Sequence, residues 1–358
     1  MRQLISYIAH AAPATRRYAK GDEPFLRPEI GFTPNWFHTN YGINFDEKWH
    51  TNPAFRKEKL KTLKTDLHSR FPGTQIGHPH LPLDLLTGIF GACTIGAIYG
   101  LPIIYAKDNW PICAQNYLSG EQIDKLTPPD LDSNEYFQNL LEQLADIESI
   151  EGRIEGFINW QGVLNNAHRL RGEELFFDLI DAPNRAKHLF ECVATTMIEA
   201  IKKVYTVQNE SGVNINFVTV SNCLVNMVSP RQYEEFLLPW DIKISQDFEC
   251  IGIHNCAWTA DPYLELYSKV PNVAYIDMGI QSDLPKAKAL FRKARRAIMY
   301  TPMDLSSKSI PQIKNDLEKI AREYGPCDIV AADIEAGTPD SKVIEFIDLC
   351  EKASRDYS

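Results

Sequence analysis

The chain has 358 residues, of which 44% are hydrophobic and 23% charged, and a net charge of -10. That length supports a large buried core, and the composition is that of an ordinary globular protein. The acidic balance, with no Lys/Arg block to offset it, argues against nucleic-acid backbones and membranes as partners, and no apolar run reaches the length of a membrane span.

Residues 1–30 read as an N-terminal helical extension, a short helix followed by a Pro-containing lead-in. The Ile5 to Ala12 patch is too short and too polar for an export signal, so a cytoplasmic location is expected. Gly31 to Phe37 is a predicted first strand, with Asn35, Trp36 and His38 at its exit. A helix from Pro53 to Phe71 carries the basic run Arg56 to Lys64, interleaved with apolar residues and read as one solvated face. His78 and His80 sit in a Pro-rich loop and read as exposed. The apolar segment Leu85 to Tyr99 and the stretches 101–105 and 110–113 are irregular, with Asp108 at the next candidate exit.

From Asn134 the order becomes regular. A helix to Ile150 precedes the predicted strand Ile154 to Trp160, and a helical region from Gly172 to Val207 precedes the strand Val213 to Val220. Ser229-Pro230-Arg231-Gln232 is a helix start: Ser caps, Pro takes the first helical position and Gln closes a capping box. Strands follow at 249–254, 272–280, 297–300 and 328–333, each separated by helical pattern. Val343, Phe346, Ile347 and Cys350 then lie on one face of the last helix. Eight cysteines without a repeated spacing read as reduced thiols.

Six clear strand-helix units and two vaguer ones upstream predict an α/β fold, a closed (β/α)8 TIM barrel in one domain over residues 1–358, with 31–358 as the barrel. No Gly-rich dinucleotide fingerprint favours a doubly wound sheet. In a barrel the active site lies at the C-terminal ends of the strands. Those exits carry Asn159, Trp160 and Gln161; Ser221, Asn222 and Cys223; His254, Asn255 and Cys256; Asp277; Tyr300 and Asp304; and Asp333 and Glu335. His254 and Cys256 are two apart at the end of a buried strand, so imidazole and thiol share a side and are competent to begin a zinc site with an open position. The alternative is a core histidine beside a buried cysteine. Trp36, Trp160 and Tyr300 suggest an aromatic-lined pocket whose polar contacts come from Asn159, Gln161 and Asn222; the alternative for each ring is packing in the wall. Asp277 and Asp304 are candidates to orient His254.

Three stretches, Leu170 to Pro183, Val228-Ser229-Pro230-Arg231-Gln232-Tyr233-Glu234-Glu235-Phe236-Leu237-Leu238-Pro239 and Gly252 to Cys256, resemble the uroporphyrinogen decarboxylase superfamily, which includes methyltransferases acting with corrinoid proteins. The resemblance runs from about Asp84 to the C-terminus. In the decarboxylase branch it implies an N-terminal arginine-rich segment, whereas residues 33–40 here contain no arginine, and Arg153, Arg169 and Arg171 fall away from strand exits. In the methyltransferase branch it implies zinc held by the His-x-Cys pair and a third cysteine near the end of the last strand. His254 and Cys256 match the pair. Ahead of Thr338-Pro339, however, there is no cysteine, and Cys327 stands at the wrong end of its strand, which leaves Asp333, Glu335 or Cys223 as the third donor.

The resemblance therefore implies a methyltransferase that moves a methyl group between a small molecule (a methoxylated aromatic, methylamine, thiol or tetrahydrofolate) and the cobalamin of a separate corrinoid protein. Zn2+ would be its metal, and the oligomeric state is open, a homodimer included. Asn159, Asn222, Asp277 and Tyr300 are the candidate catalytic groups, and Asn35, Trp36, His38, Trp160, Gln161 and Asp304 the candidate substrate contacts. The competing readings are a decarboxylase of tetrapyrrole side chains and a non-catalytic barrel subunit of a methyltransferase complex.

Overall fold

The computed structural model describes residues 21–358 apart from 22, 75 and 78–82. The expected helix within residues 1–20, the Ile5 to Ala12 patch, His78 and His80 lie outside the described residues. Among the described residues the strands are β1 (Leu26–Phe32), β2 (Ile103–Ile104), β3 (Ile112–Cys113), β4 (Phe217–Ser221), β5 (Cys250–His254), β6 (Val273–Met278), β7 (Arg295–Met299) and β8 (Cys327–Ile334). Six of them form one sheet in the order β1-β8-β7-β6-β5-β4, every pair parallel, with Leu26 opposite Cys327 and Ser221 opposite His254. Parallel neighbours need crossovers, and helices supply them: 238–247 leads into β5, 284–290 into β7 and 310–323 into β8. Their starts are written locally. Ser229 and Ser309 each close a capping box, and Asp283 and Thr301 accept a backbone N–H ahead of a proline.

The rest of the circuit is built differently. The fold is the α/β barrel expected, but the run Ile154 to Trp160 is buried without joining a ladder, and residues 84–90 beside it are irregular. Side chains stand in for the missing ladder partners. The Gln208 amide, buried on the long helix Pro183–Glu210, donates to the carbonyls of Ile154 (3.1 Å) and Gly156 (2.8 Å). Thr87 Oγ1 accepts from Phe157 N (3.2 Å), and Asp84 Oδ1 accepts from the N–H groups of Leu86 and Thr87. Gly156, at φ +96°, is where the run leaves strand geometry, and a methyl group there would overlap the Asp84 carboxylate.

Two further expectations shift. The first strand is Leu26–Phe32, not 31–37, so the barrel begins inside the stretch read as an extension. Thr33 caps a helix at Pro34–Tyr41 by accepting from Trp36 N, which moves Asn35, Trp36 and His38 from a strand exit onto that helix. Residues 103–113 form a small antiparallel hairpin outside the sheet, and Asp108 is exposed near its tip. Within the basic run, Arg56 is the exception to a solvated face. It is buried and donates to the carbonyls of Leu85 (2.9 Å) and Trp49 (2.7 Å), fastening the irregular segment to the helix Pro53–Arg70.

Candidate metal centre

β4 and β5 run side by side with Ser221 paired to His254, so the residues just past their tips converge. Cys223 Sγ lies 2.8 Å from Cys256 Sγ, and Cys256 Sγ lies 3.2 Å from His254 Nε2. Among the described residues, Cys223, His254 and Cys256 form the group of His, Cys, Asp or Glu donors close enough to share one cation, their ligand atoms all within 4.8 Å of one another. His254 is buried, and Cys223 and Cys256 are half-buried. Cys256 adopts φ +53°, the left-handed region a non-glycine residue rarely enters, and this curl brings its thiol back over the imidazole.

The imidazole is fixed from behind. Asp277 Oδ2 accepts from Nδ1 of His254 (2.7 Å), so Nε2 faces the sulfurs. Asp277 is itself held by Tyr275 OH (2.8 Å) and by Asn255 N (2.7 Å), and Tyr267 OH fixes the Asn255 side chain (2.7 Å). A second chain of contacts steadies the Cys223 loop: Tyr233 OH donates to Asp241 (2.6 Å), Asp241 accepts from Asn222 Nδ2 (3.1 Å), and Asn222 N donates to His254 O (2.7 Å). Tyr233 reaches Asp241 from a widened π turn, Tyr233–Leu237, directly after the Ser229-Pro230 start. The motif quoted for the resemblance thus has a physical task, the support of the loop that carries a thiol.

These contacts set the charge. Cys223 is pulled down to about 4, first by its hydrogen bond with Cys256 and then by His254 and Ser221, while the same bond pushes Cys256 up. Burial opposes a charge on His254, but Asp277, Cys256 and Cys223 outweigh it and hold the imidazole well above its ordinary value.

The remaining sequence candidates divide. Asn159 and Gln161 meet at the same end of the barrel. Asn159 Oδ1 accepts from the backbone N–H (3.1 Å) and side-chain amide (2.9 Å) of Gln161, whose Oε1 accepts from Asn165 (2.9 Å). The backbone donor fixes which Asn159 atom is oxygen, and its Nδ2 is left buried without an acceptor. Asp333, also left-handed at φ +58°, stands at the exit of β8, its carboxyl raised by partial desolvation and by Glu335 and Cys223 against His254. Glu335 accepts from Thr33 Oγ1 (3.2 Å); neither acid joins the sulfur group. Asp304 pairs with Lys308 (3.1 Å) and is not a partner of His254. Trp36, Trp160 and Tyr300 are at most 2% exposed, and Tyr300 points to Asp316 (2.8 Å), so these rings pack within the wall. His38 is half-buried on its helix. Tyr267, Tyr275, Asp241 and Asn165 were not singled out in the sequence. Tyr275 had a signal, since it lies two residues before Asp277 on the same side of β6.

The uroporphyrinogen decarboxylase (URO-D) family model matches residues 60–347, more than half of the chain. Among solved structures, a methyltransferase from Methanosarcina mazei superimposes with a TM-score of 0.62 at 15% identity, covering 92% of this chain and 94% of that one. A Listeria monocytogenes protein described as a vitamin-B12-independent methionine synthase gives a TM-score of 0.36 at 13% identity, covering 55% of this chain and 62% of that one, and does not bear on the site. No match to a curated protein sequence was found.

Proposed function

The chain belongs to the uroporphyrinogen decarboxylase family, and from that premise we propose that it is a zinc-dependent methyltransferase that moves a methyl group between a small molecule and a corrinoid protein. The observation that carries this reading is the grouping of two sulfurs and one imidazole nitrogen within 4.8 Å at the mouth of the barrel. Three such donors with an open side suit a catalytic zinc, and a carboxylate on the far nitrogen of the histidine is the usual support. In this reading the third donor is Cys223, two residues past the end of β4, in place of a cysteine at the end of β8. When bound, zinc supplies Lewis acidity toward a thiol or a departing heteroatom, and the partner's corrinoid supplies the cobalt–carbon chemistry.

The chain's own residues do the rest. Asp277 keeps a proton on Nδ1 and so presents the Nε2 lone pair to the cation. Cys223 ionises readily, and its loop is steadied through Asn222 and Asp241. Asn159 keeps one buried amide donor unspent, which suits an acceptor atom on the small molecule. Among the described residues, the three arginines considered for a tetrapyrrole decarboxylase are engaged elsewhere: Arg153 pairs with Glu155, Arg171 with Asp178, and Arg169 donates to Ala92 O.

Metal analysis of purified protein tests the proposal. About one zinc per chain, lost in His254→Ala together with methyl transfer to cob(I)alamin, is the expected result. A metal-free protein that transfers methyl at the same rate overturns it.

A further inference from the structure

The opposite end of the barrel holds a second polar feature that the methyl-transfer reading does not use. A cleft of 710 Å3 opens where β1, β7 and β8 begin, between the helix Leu284–Leu290 and the end of the helix Ile310–Glu323. Among the described residues its walls carry five cations and two carboxylates, Glu23 and Glu323, in a chain whose net charge is -10. Such a local reversal of sign is a concentrated anion-attracting field.

Two of the cations are part of the scaffold. Arg27 is almost wholly buried and pairs with Glu23 (3.5 Å) and Asp328. Arg296 is 5% exposed, donates to the backbone carbonyls of Tyr324, Phe291, Arg292 and Pro326, and lies over the Tyr324 ring (5.4 Å), with no carboxylate partner among the described residues. Its positive charge is therefore held by dipoles and a ring face and is not cancelled by a carboxylate. At the rim, among the described residues, Lys288 and Arg292 line the cleft without an ion pair, and Arg322 donates to the hydroxyl of Tyr357 (3.4 Å). Pro285, Ala289 and Ala294 give the cleft an apolar side.

We infer that this arginine-lined cleft at the base of the barrel is a binding site for a phosphate-bearing small molecule. Planar guanidinium forks and a lysine suit phosphate oxygens, and the volume falls within the range of ordinary small-molecule sites. The inference is independent of the metal centre and stands or falls without it.

Calorimetric titration of the full-length protein with inorganic diphosphate at low salt tests it, with succinate as a carboxylate comparison. A saturable one-to-one event is expected for diphosphate, weaker for succinate. It should fall by at least about tenfold in Lys288→Glu/Arg292→Glu. A Lys61→Glu/Lys125→Glu variant carries the same charge change on residues that do not line the cleft and should bind as the parent does. Both pairs are at the surface, and circular dichroism confirms folding. Absence of saturable binding into the millimolar range, equal or tighter binding of succinate, survival of binding in the cleft variant, or equal loss in the control variant overturns the inference.

Discussion

Two arcs of the barrel wall solve the same problem by different means. From β4 through β8 to β1 the backbone satisfies itself, strand against parallel strand, and the functional groups extend from its tips. Across residues 84–90 and 154–161 the backbone is satisfied by side chains: Gln208, Thr87, Asp84, Arg56 and His50, which accepts from Phe90 N (2.9 Å) and contacts Phe45 O (3.1 Å). In the regular arc a residue at a tip is free to serve chemistry, because removing it leaves the ladder intact. In the irregular arc the polar residues are the structure.

That contrast sets the expected order of effects. Cys223→Ser should abolish stoichiometric zinc and methyl transfer while leaving the melting temperature of the metal-free protein nearly unchanged; metal analysis beside calorimetry reads both. Gly156→Ala should do the reverse and destabilise by about 3–5 kcal/mol, since a left-handed backbone and an overlapping methyl group add together, as a shifted denaturation midpoint would show. Gln208→Leu removes the donor from two buried carbonyls and should cost roughly 2–3 kcal/mol in the same assay. Asp277→Asn should loosen zinc by roughly 10–100-fold, read in competition with a chelator.

The smallest effect at neutral pH belongs to His50. Burial, then the neighbouring Arg56, lower its pKa to about 3. The folded protein therefore keeps His50 neutral where the unfolded chain takes up a proton, below the ordinary value near 6.5. Its contribution is complete above that value and declines as the pH falls toward 3. Between pH 7 and 5 the expected loss is about 2 kcal/mol, absent in His50→Gln, as denaturation curves at the two pH values would show.

The same contrast explains what the sequence made legible. β4 to β8 stand near where alternating apolar runs and Ser-Pro or Thr-Pro starts put them, because in that arc local pattern and final structure agree. The spacing of His254 and Cys256 fits a core pair as well as a metal pair, and the strand order and the resemblance are what singled them out. Cys223 entered as one of three third donors, and only the register of β4 on β5 separates it from Asp333 and Glu335. The first strand was misplaced although its boundary was written in the chain: Thr33-Pro34 is the same kind of helix start as Thr301-Pro302. Ile154 to Trp160 has the apolar content of a strand, and nothing local reveals that a glutamine some fifty residues on takes the place of its neighbour. The turning of Tyr300 toward Asp316, and of Trp36 and Trp160 into the wall, depends on packing that a list of strand exits does not contain.

Cys256 holds a backbone shape that its side chain alone would not choose. A cation gripped by its sulfur and by Cys223 would clasp two neighbouring staves at their tips, so loading the metal also sets the local stiffness of the rim. Amide exchange at Asn222 and Asn255 should then slow when zinc is added and quicken when it is stripped, giving a readout of occupancy that needs no substrate and no partner.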